Sequence, residues 1–351
     1  MVTLKEIAEA CHVSAATVSN IINGKSKASA ETTQYVLDTI EKMGYRPNFM
    51  ARGLRRQKTK IIALVVDDIA QFTTPPIIES IMEYCEEVGY HVVMWNLRLY
   101  SRWADTWYNQ ETEYHSIVDP VLDDVLSAQV EGVIYVAGHA RIVRCFRKDF
   151  PIPAVMAYAF SDMTEIPSIV LSDAESACEV NKYLLSKGHK KIGFIGGRVD
   201  NHHTQQRLQG YQKALFEYGI LYNPDLVYYA EWTRETGYKG AKALIEKGVT
   251  ALFCVSDKMA VGVYDYAEEA GLVIGKDISV AGYDSEEWSD CLNPKLTTTK
   301  LPLDKIGRSA AKLLIDRLEN GENSDWNFEE PEVIRIPCTF IERNSVGRID
   351  S

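Results

Sequence analysis

The chain lacks any apolar run of the roughly 18 to 20 residues that a membrane-spanning helix needs. Its first residues also lack the basic and then apolar segments of a secretion signal. We therefore expect a cytoplasmic protein with no membrane contact.

Paired cysteines are also absent. The seven cysteines are odd in number and scattered, without a C-x-x-C pair that would indicate zinc or redox chemistry. Most fall in apolar runs such as ALFCVS, where cysteine behaves as a small hydrophobic residue. We expect reduced structural thiols, no metal and no cofactor.

Three catalytic motifs are missing as well. The sequence contains no G-x-S-x-G elbow, no G-x-x-x-x-G-K-[ST] loop and no H-E-x-x-H pair. The segment FIGGR contains glycine but lacks the spacing of a dinucleotide-binding loop. An enzyme on an α/β scaffold is therefore disfavoured.

Charge divides the chain into two parts. Residues 1–60 hold ten Lys and Arg against five Asp and Glu, whereas residues 61–351 hold 28 against 44. A basic end on an acidic body is typical of a nucleic-acid-binding protein whose body does not itself bind phosphate. The alternative is a solvated basic tail.

The N-terminal segment has the spacing of two short helices. LKEIAEAC carries apolar residues on one helical face, and a short turn follows it. Ser14 is then a good N-cap for AATVSNII, whose Val18, Ile21 and Ile22 face inward. This is a helix-turn-helix arrangement, in which the second helix enters the major groove of DNA.

A third helix is predicted in ASAETTQYVLDTIEKMGY. Ser29 is its expected N-cap and Gly44 its expected end. Its apolar stripe consists of Val36, Leu37, Ile40 and Met43. The three helices predict a headpiece over residues 1–46.

This headpiece resembles that of the LacI/GalR family of bacterial transcription regulators. The family pattern V-S-x-x-T-V-S-x stands here as VSAATVSN, residues 13–20. The resemblance implies contacts with base edges from Ala15, Ala16 and Asn20. It implies phosphate contacts from Thr3, Leu4, Ser14, Thr17, Ser19 and Asn23. Because alanine offers no side-chain hydrogen bond, we expect base discrimination to rest on Asn20 and apolar contacts.

One position in the turn departs from the family. His12 stands where the family usually has glycine. If that position needs a positive φ, histidine is tolerable because it is enriched in the left-handed region.

The resemblance also implies a hinge helix over residues 47–59. Its implied DNA contacts are Asn48, Ala51, Leu54 and Arg55. Leu54 would enter the minor groove as an apolar wedge flanked by arginines. Gly53 weakens such a helix by about 0.5 to 1 kcal/mol relative to alanine, so we expect the helix to depend on DNA.

From residue 60 onward, short apolar runs such as IIALVV and GVIYVA alternate with helical stretches. This pattern predicts parallel sheets covered on both faces, with ligands beyond the carboxyl ends of their strands. The resemblance implies an α/β effector-binding and dimerisation domain over 60–351, with two Rossmann-like subdomains of periplasmic-binding-protein type. The expected N-subdomain spans about 60–159 and 291–321, and the C-subdomain about 160–290 and 322–345. The crossovers are expected near 158–162, 284–292 and 320–327.

Side chains suited to a sugar follow several of these strands. QQRLQGY matches the family's R-L-x-G-aromatic pattern, which implies that Arg207 holds ligand hydroxyls. Carboxylates and arginine bind vicinal hydroxyls in pairs, and aromatic rings cover the apolar faces of a sugar. The expected effector-binding residues are Phe72, Arg207, Trp232, Ser256, Asp257 and Asp284. For Asp257, capping of a helix is an equally good interpretation.

An aromatic-rich segment over about 98–115 makes this region about ten residues longer than the family pattern. Two interpretations stay open. The segment is a surface loop stabilised by its aromatic side chains, or it overhangs the cleft or the dimer surface and narrows the choice of ligand.

A homodimer is expected because one helix-turn-helix contacts only a half-site, and two together bind a palindrome. A helix predicted at 304–318 has an apolar stripe, part of which would be intramolecular core. The stripe consists of Ile306, Ala310, Leu313, Leu314 and Leu318. No leucine-heptad tail follows, so we expect a dimer and not a tetramer.

These features together predict a repressor that binds a double-stranded DNA operator and is controlled by a sugar-like small molecule. The alternative is a solute-binding sensor without a DNA role. Inducer and co-repressor would use the same cleft, so the sign of the control stays open.

Overall fold

The computed structural model describes residues 2–22, 25–45, 58–103, 111–321 and 331–349. The chain divides into two compact units, Met1–Thr59 and Lys60–Ser351. Within the described ranges, no helix combines the length and the apolar character that crossing a membrane requires.

The described part of the first unit contains α1 (Leu4–Ala10), α2 (Ala15–Ile22) and α3 (Ala30–Lys42). Their shared core consists of Ile7, Ala8, Cys11, Val18, Ile21 and Val36. Leu37, predicted to be buried, is instead 42% exposed. It follows Val36 directly, and one residue of a helix turns the side chain about 100° away from the buried face.

Each of these helices begins after a residue with a hydroxyl group. The side-chain oxygens of Thr3, Ser14 and Ser29 accept a hydrogen bond from the backbone N–H three residues later, at 3.3, 3.0 and 3.2 Å. Such caps satisfy backbone donors that have no partner inside the helix. The predicted caps at Ser14 and Ser29 are confirmed.

Two residues of the first unit have the left-handed backbone that the sequence suggested. His12 lies between α1 and α2 with φ 54°, and Gly44 follows α3 with φ 64°. The turn therefore does require the positive φ for which the family's glycine is suited.

The second unit begins with alternating strands and helices. In chain order they are β1 (Ile61–Val66), α4 (Thr74–Glu87), β2 (His91–Asn96), α5 (Leu99–Trp103), α6 (Glu111–Ser127), β3 (Gly132–Val136), β4 (Ala154–Ala157) and β5 (Ser168–Leu171). The chain continues through α7 (Asp173–Ser186), β6 (Ile192–Gly196), α8 (His202–Glu217), a 3-10 turn (Pro224–Leu226), β7 (Val227–Tyr229), α9 (Arg234–Ile245) and β8 (Ala251–Cys254). It ends with α10 (Asp257–Glu269), β9 (Ser279–Ala281), α11 (Trp288–Cys291), β10 (Thr298–Lys300), α12 (Leu303–Asn320), β11 (Val333–Ile336) and β12 (Thr339–Ile341).

These strands form two parallel sheets. One has the order β2-β1-β3-β4-β5-β11, and the other has the order β7-β6-β8-β9. The inner strands β1, β3, β6 and β8 are buried along their whole length, as strands covered on both faces must be. The predicted pair of α/β subdomains is confirmed.

We call the six-stranded sheet with α4, α5, α6 and α12 the first lobe, and the four-stranded sheet with α7 to α10 the second lobe. The helix α12 packs on α4 and on the first sheet, so part of its predicted apolar stripe is intramolecular core. Ile306, Ala310 and Leu314 are buried, and Leu313 and Leu318 pack against them partly buried. A two-stranded antiparallel ribbon of β10 and β12 accompanies the chain between the lobes.

The chain passes between the lobes later than the sequence suggested. The strand β5 pairs in parallel with both β4 and β11, so residues 168–171 and 333–336 belong to the first lobe. The passages therefore fall at Ser172, after Lys300 and after β11. The expected crossovers near 158–162 and 320–327 are wrong, because the first sheet continues for two strands beyond β4. The expected crossover near 284–292 is wrong, because Thr297 and Lys300 still form bridges with Ala281 and Asp284 of the second lobe.

The helices α7 and α8 approach closely because Gly210 has no side chain. A Cβ at this position would lie 2.2 Å from the carbonyl oxygen of Ala174 and 2.8 Å from the Cβ of Ala177. Gly210 is the glycine of the R-L-x-G pattern, and Arg207 lies one turn before it. Close packing thus brings Arg207 beside Asp173, the first residue of α7.

We predict that Gly210→Ala destabilises the second unit by about 1–3 kcal/mol, because the added methyl group overpacks the interface of α7 and α8. In an exposed helix the same change would stabilise by about 0.5–1 kcal/mol, so the sign is diagnostic. Urea unfolding measures the change in the free energy of unfolding, with the exposed neighbour Gln209→Ala as control. A midpoint at or above that of the unmodified chain would contradict the packing argument.

Candidate functional site

A cavity of about 310 Å³ lies between the two lobes. Loops at the carboxyl ends of strands in both sheets line it, which is where open α/β sheets bind ligands. The first lobe contributes Gln71, Phe72, Thr73, Tyr100, Gly138, His139 and Tyr158. The second lobe contributes Arg198, Asn201, His203, Arg207, Trp232, Ser256, Lys258, Asp284, Glu286 and Trp288. The volume is at the lower end of the range of small-molecule sites.

Five of the six predicted effector-binding residues line this cavity. They are Phe72, Arg207, Trp232, Ser256 and Asp284. Ser256 also caps α10, since its hydroxyl oxygen accepts a hydrogen bond from the backbone N–H of Met259 at 3.3 Å.

Asp257 is the exception and does not line the cavity. Its buried carboxylate accepts hydrogen bonds from the hydroxyl of Thr298 at 2.6 Å and from the backbone N–H of Glu286 at 3.0 Å. Burial raises the pKa of Asp257 to about 7. The carboxylate therefore anchors the chain after β9 and the start of β10, and helix capping belongs to Ser256.

Arg207 is the most deeply buried charge of the cavity, at 2% exposure. Its Nε donates to Asp173 Oδ1 at 2.8 Å, and its Nη1 donates to the carbonyl oxygen of Val255 and, at 3.4 Å, to Asp284 Oδ1. The guanidinium lies 3.8 Å from the ring centroid of Tyr283, a cation–π contact. Several partners thus compensate one buried charge.

The same carboxylate binds His203, which lies one turn before Arg207 on α8. His203 Nε2 accepts a hydrogen bond from the backbone N–H of Ala140 at 2.9 Å. The proton must then be on Nδ1, which donates to Asp173 Oδ2 at 2.6 Å. Because Ala140 follows β3, this chain of bonds joins the first lobe to Arg207 in the second.

The titration of these acids follows from burial and pairing. Burial alone would raise the pKa of Asp173, but Arg207 and His203 outweigh it and hold that pKa below its ordinary value. Burial raises the pKa of Asp284 well above its ordinary value, although Arg207 opposes the shift. Asp173 thus stays ionised as the counter-charge of Arg207, while Asp284 lines the cavity as an acid whose burial favours its neutral form.

Asp284 has an unusual backbone, with φ 109°, and Ser285 follows with φ 54°. Such conformations cost a non-glycine residue of order 1–3 kcal/mol and occur at functional sites. The backbone N–H of Asp284 donates to the carbonyl oxygen of Thr299 at 2.9 Å, which holds the strained turn.

Trp232 reaches the cavity because of a glycine. A Cβ on Gly197 would lie 2.2 Å from Trp232 Cε2, so the FIGGR segment leaves space for the indole. Among the described residues, the indole nitrogen of Trp232 is buried without a hydrogen-bond partner. A buried donor in this state favours a ligand or water that can accept from it.

A buried ion pair fixes the first-lobe loop after β3. Arg141 donates to both carboxylate oxygens of Asp67, at 2.7 and 2.9 Å, and the backbone N–H of Gly138 donates to Asp67 Oδ2 at 3.0 Å. Thr73 Oγ1 donates to the carbonyl oxygen of Gly138 at 2.7 Å. The loop that carries His139 and Ala140 therefore has a set position, and burial lowers the pKa of His139 well below its ordinary value.

Sequence reasoning missed several cavity residues. His203 had a usable signal, because it stands four residues before Arg207 and so shares its helical face. Asp173 does not line the cavity but pairs with Arg207, and it follows an apolar strand closely, the same signal that identified Asp284. Tyr158, Lys258 and Trp288 had none, since only the folded loops bring them together.

The aromatic-rich segment contributes to the cavity in its described part. Tyr100 on α5 lines it, whereas Trp103 and Tyr114 pack against the core of the first lobe. Residues 104–110 lie outside the described part of the chain.

The predicted DNA-binding face can be located only in part. Ala15, Ala16 and Asn20 are exposed on α2, where they would face base edges. Of the predicted phosphate contacts, Thr3 and Ser14 are exposed, and Leu4, Thr17 and Ser19 are half-buried. Asn23, Asn48, Ala51, Leu54 and Arg55 lie outside the described residues.

Both units match known protein families. Residues 3–48 match the model of bacterial regulatory proteins of the lacI family, and residues 182–346 match a periplasmic binding protein-like domain. The chain is 30% identical over 319 residues to catabolite control protein A of Priestia megaterium, covering 89% of this chain and 91% of that protein. It is 31% identical over 338 residues to the ribose operon repressor of Haemophilus influenzae, covering 95% and 97%.

A solved structure shows the same fold. The Lac repressor dimer bound to operator and the anti-inducer ONPF superposes with a TM-score of 0.76 at 24% identity, covering 98% of both chains. A helix-turn-helix unit followed by a two-lobed binding unit defines a transcription regulator. The chain belongs to the LacI family of bacterial regulatory proteins.

We predict that the unmodified chain loses stability relative to Asp257→Asn as pH rises from about 5 to about 8. The folded state holds a proton on Asp257 up to its pKa of about 7, whereas the unfolded chain releases it near 3.8, so rising pH favours unfolding. Urea unfolding of both proteins across this range measures the difference, with Asp149→Asn as an exposed control. If the free energies of unfolding of the two proteins change with pH in parallel, Asp257 does not hold a proton in the folded state.

Proposed function

We propose that this regulator is a cytoplasmic repressor, without enzymatic activity, that binds a palindromic operator as a homodimer under the control of a sugar-like effector. The observation that carries the proposal is the cavity in which Arg207, Asp284 and Trp232 meet. A buried guanidinium and a carboxylate bind vicinal hydroxyls, and an indole covers the apolar face of a sugar ring.

The relatives support a sugar effector by their names. One of them is a repressor of a ribose operon. The cavity offers mixed donors and acceptors, including Asn201 and Ser256, and not a uniformly apolar wall. That lining suits a neutral polyhydroxylated ligand.

The exposed face of α2 supports DNA binding. The methyl groups of Ala15 and Ala16 can touch thymine methyl groups, and Asn20 can pair with adenine. The hydroxyl of Ser14 lies 2.8 Å from that of Thr17 at the N-terminus of the helix, where the dipole favours phosphate.

The edge strand of the first sheet supports a homodimer. The edge strand β2 carries the exposed apolar side chains of Val93 and Met94, and Met82 is exposed on the neighbouring α4. Exposed apolar side chains on an edge strand favour pairing with another surface. In the stripe of α12, Ile306, Ala310 and Leu314 are already buried, so this stripe offers less apolar surface for the contact.

Lobe closure supplies the link from effector to DNA affinity. A ligand on Arg207 acts on Asp173 and His203, and through them on the bond to Ala140 in the first lobe. The coupling is the difference in effector affinity between the DNA-bound and the free regulator. Inducer and co-repressor differ only in the sign of this difference.

We predict that Asn20→Ala weakens binding to the specific operator about 5- to 150-fold, since one bidentate contact to adenine contributes about 1–3 kcal/mol. Binding to unrelated DNA should stay unchanged. Gel-shift titrations on DNA from upstream of the regulator's own gene measure both, with the exposed Glu41→Ala as control. If no palindromic site is bound with or without saccharides, the regulator proposal fails and the solute-binding sensor is favoured.

We predict that Asp284→Asn lowers effector affinity at least tenfold while DNA affinity without effector is retained. Asparagine tolerates the positive φ and keeps a hydrogen-bonding side chain, so the fold is preserved while the carboxyl group is replaced by an amide. Calorimetric titration with a saccharide panel measures effector binding, and Asp304→Asn on the surface is the control. Equal affinities in the two variants would remove Asp284 from the site.

A further inference from the structure

Building on the proposed sugar effector, we propose that Tyr100 and Phe72 form a second ring-binding position at the mouth of the cavity, so that the effector is a disaccharide or longer and not a monosaccharide.

The cavity lining falls into two groups. Arg207, His203 and Ser256 are buried polar groups, whereas Phe72, Tyr100 and Trp288 are aromatic and 47%, 42% and 47% exposed. One sugar ring held by the buried group would leave the half-exposed rings at the mouth in contact with water. Covering these aromatic rings gains about 25 cal/mol for each Å² of apolar surface removed from water. A second sugar ring would supply that cover.

The helix that carries Tyr100 is tied to the loop that carries Phe72. The buried carboxylate of Asp68 accepts from the backbone N–H and the hydroxyl of Ser101, both at 2.9 Å, and from the backbone N–H of Ala70 at 3.0 Å. One buried acid therefore joins α5 to the loop after β1. These hydrogen bonds oppose the effect of burial and lower the pKa of Asp68, which keeps the carboxylate an acceptor.

A second set of hydrogen bonds also connects the loop after β1 with the segment that leads into α5. The side-chain oxygen of Asn96, at the end of β2, accepts from the backbone N–H groups of Ile69 at 3.3 Å and Arg98 at 3.2 Å. Leu99 is fully buried, and its backbone N–H donates to the carbonyl oxygen of Asp67 at 2.9 Å. The backbone segments that carry the two aromatic rings are therefore fixed relative to each other, which lowers the entropic cost of binding.

Charged groups at the mouth identify the occupant as a sugar. Lys258 and Glu286 line the cavity beside Trp288. Aromatic faces together with ionic groups at ring edges fit the apolar faces and hydroxyl rim of a pyranose. An alkyl chain would cover this part of the cavity without offering hydrogen bonds to these groups.

Calorimetry on the full chain tests the inference with cellobiose, maltose and lactose against glucose and galactose. We expect one disaccharide to bind at least tenfold more tightly than its constituent monosaccharides. Tyr100→Ala should weaken that disaccharide about tenfold and leave the monosaccharide unchanged, because only the second ring loses its contact. Tyr100→Phe, which keeps the ring, should retain the affinity.

Phe72→Ala provides a second test on the other loop and should weaken the same disaccharide selectively. Equal loss for disaccharide and monosaccharide, or no loss in either alanine variant, would overturn the second position. A monosaccharide bound as tightly as any disaccharide, and lost in Asp284→Asn, would overturn this inference while leaving the sugar effector intact. If the unmodified chain binds none of the five sugars, both proposals fail together.

Discussion

The buried guanidinium of Arg207 is the constraint on which the cavity depends. Transfer of a charge from water into the protein interior costs several kcal/mol unless the charge is paired and hydrogen-bonded. Asp173 supplies the main counter-charge, and the carbonyl oxygen of Val255 and the ring of Tyr283 complete the environment. Asp173 also binds His203, which accepts a hydrogen bond from the backbone N–H of Ala140 in the first lobe. Compensation of the Arg207 charge therefore involves residues of both lobes.

Small residues make this arrangement sterically feasible. Gly210 lets α8 approach α7 so that Arg207 reaches Asp173, and Gly197 leaves space for Trp232 above the cavity. In both cases a neighbouring group lies so close to the backbone that glycine is required. The family's R-L-x-G pattern thus combines a ligand-binding group with the packing that positions it.

The parts of the fold that the sequence could predict are those with a local physical cause. The caps at Ser14 and Ser29 and the left-handed His12 follow from neighbouring backbone groups. Which sheet a strand joins has no such cause, because β5 is as apolar as β6 and pairs with a strand about 160 residues away. The crossovers were misplaced for that reason.

The residues of the candidate site also divide into those that the sequence could predict and those that it could not. Arg207, Trp232 and Asp284 were predictable from a family pattern and from strand ends. Asp257 carries the same kind of signal as Asp284 and turns to Thr298 instead, which depends on a chain passage that the sequence does not reveal. Tyr100 could be identified as part of an insertion, but its place at the cavity depends on Asp68, after β1, and on Asn96, at the end of the neighbouring β2.

The backbone at residue 284 also limits how the specificity of such a regulator can change. With φ 109°, the position accepts glycine, asparagine or aspartate, and larger or β-branched residues meet a steric barrier. Substitution there can remove or neutralise the carboxylate but cannot extend the side chain toward a different ligand. New effector preferences would therefore arise first at residues with ordinary backbone, such as Phe72 and Tyr100, while the acid at 284 changes little.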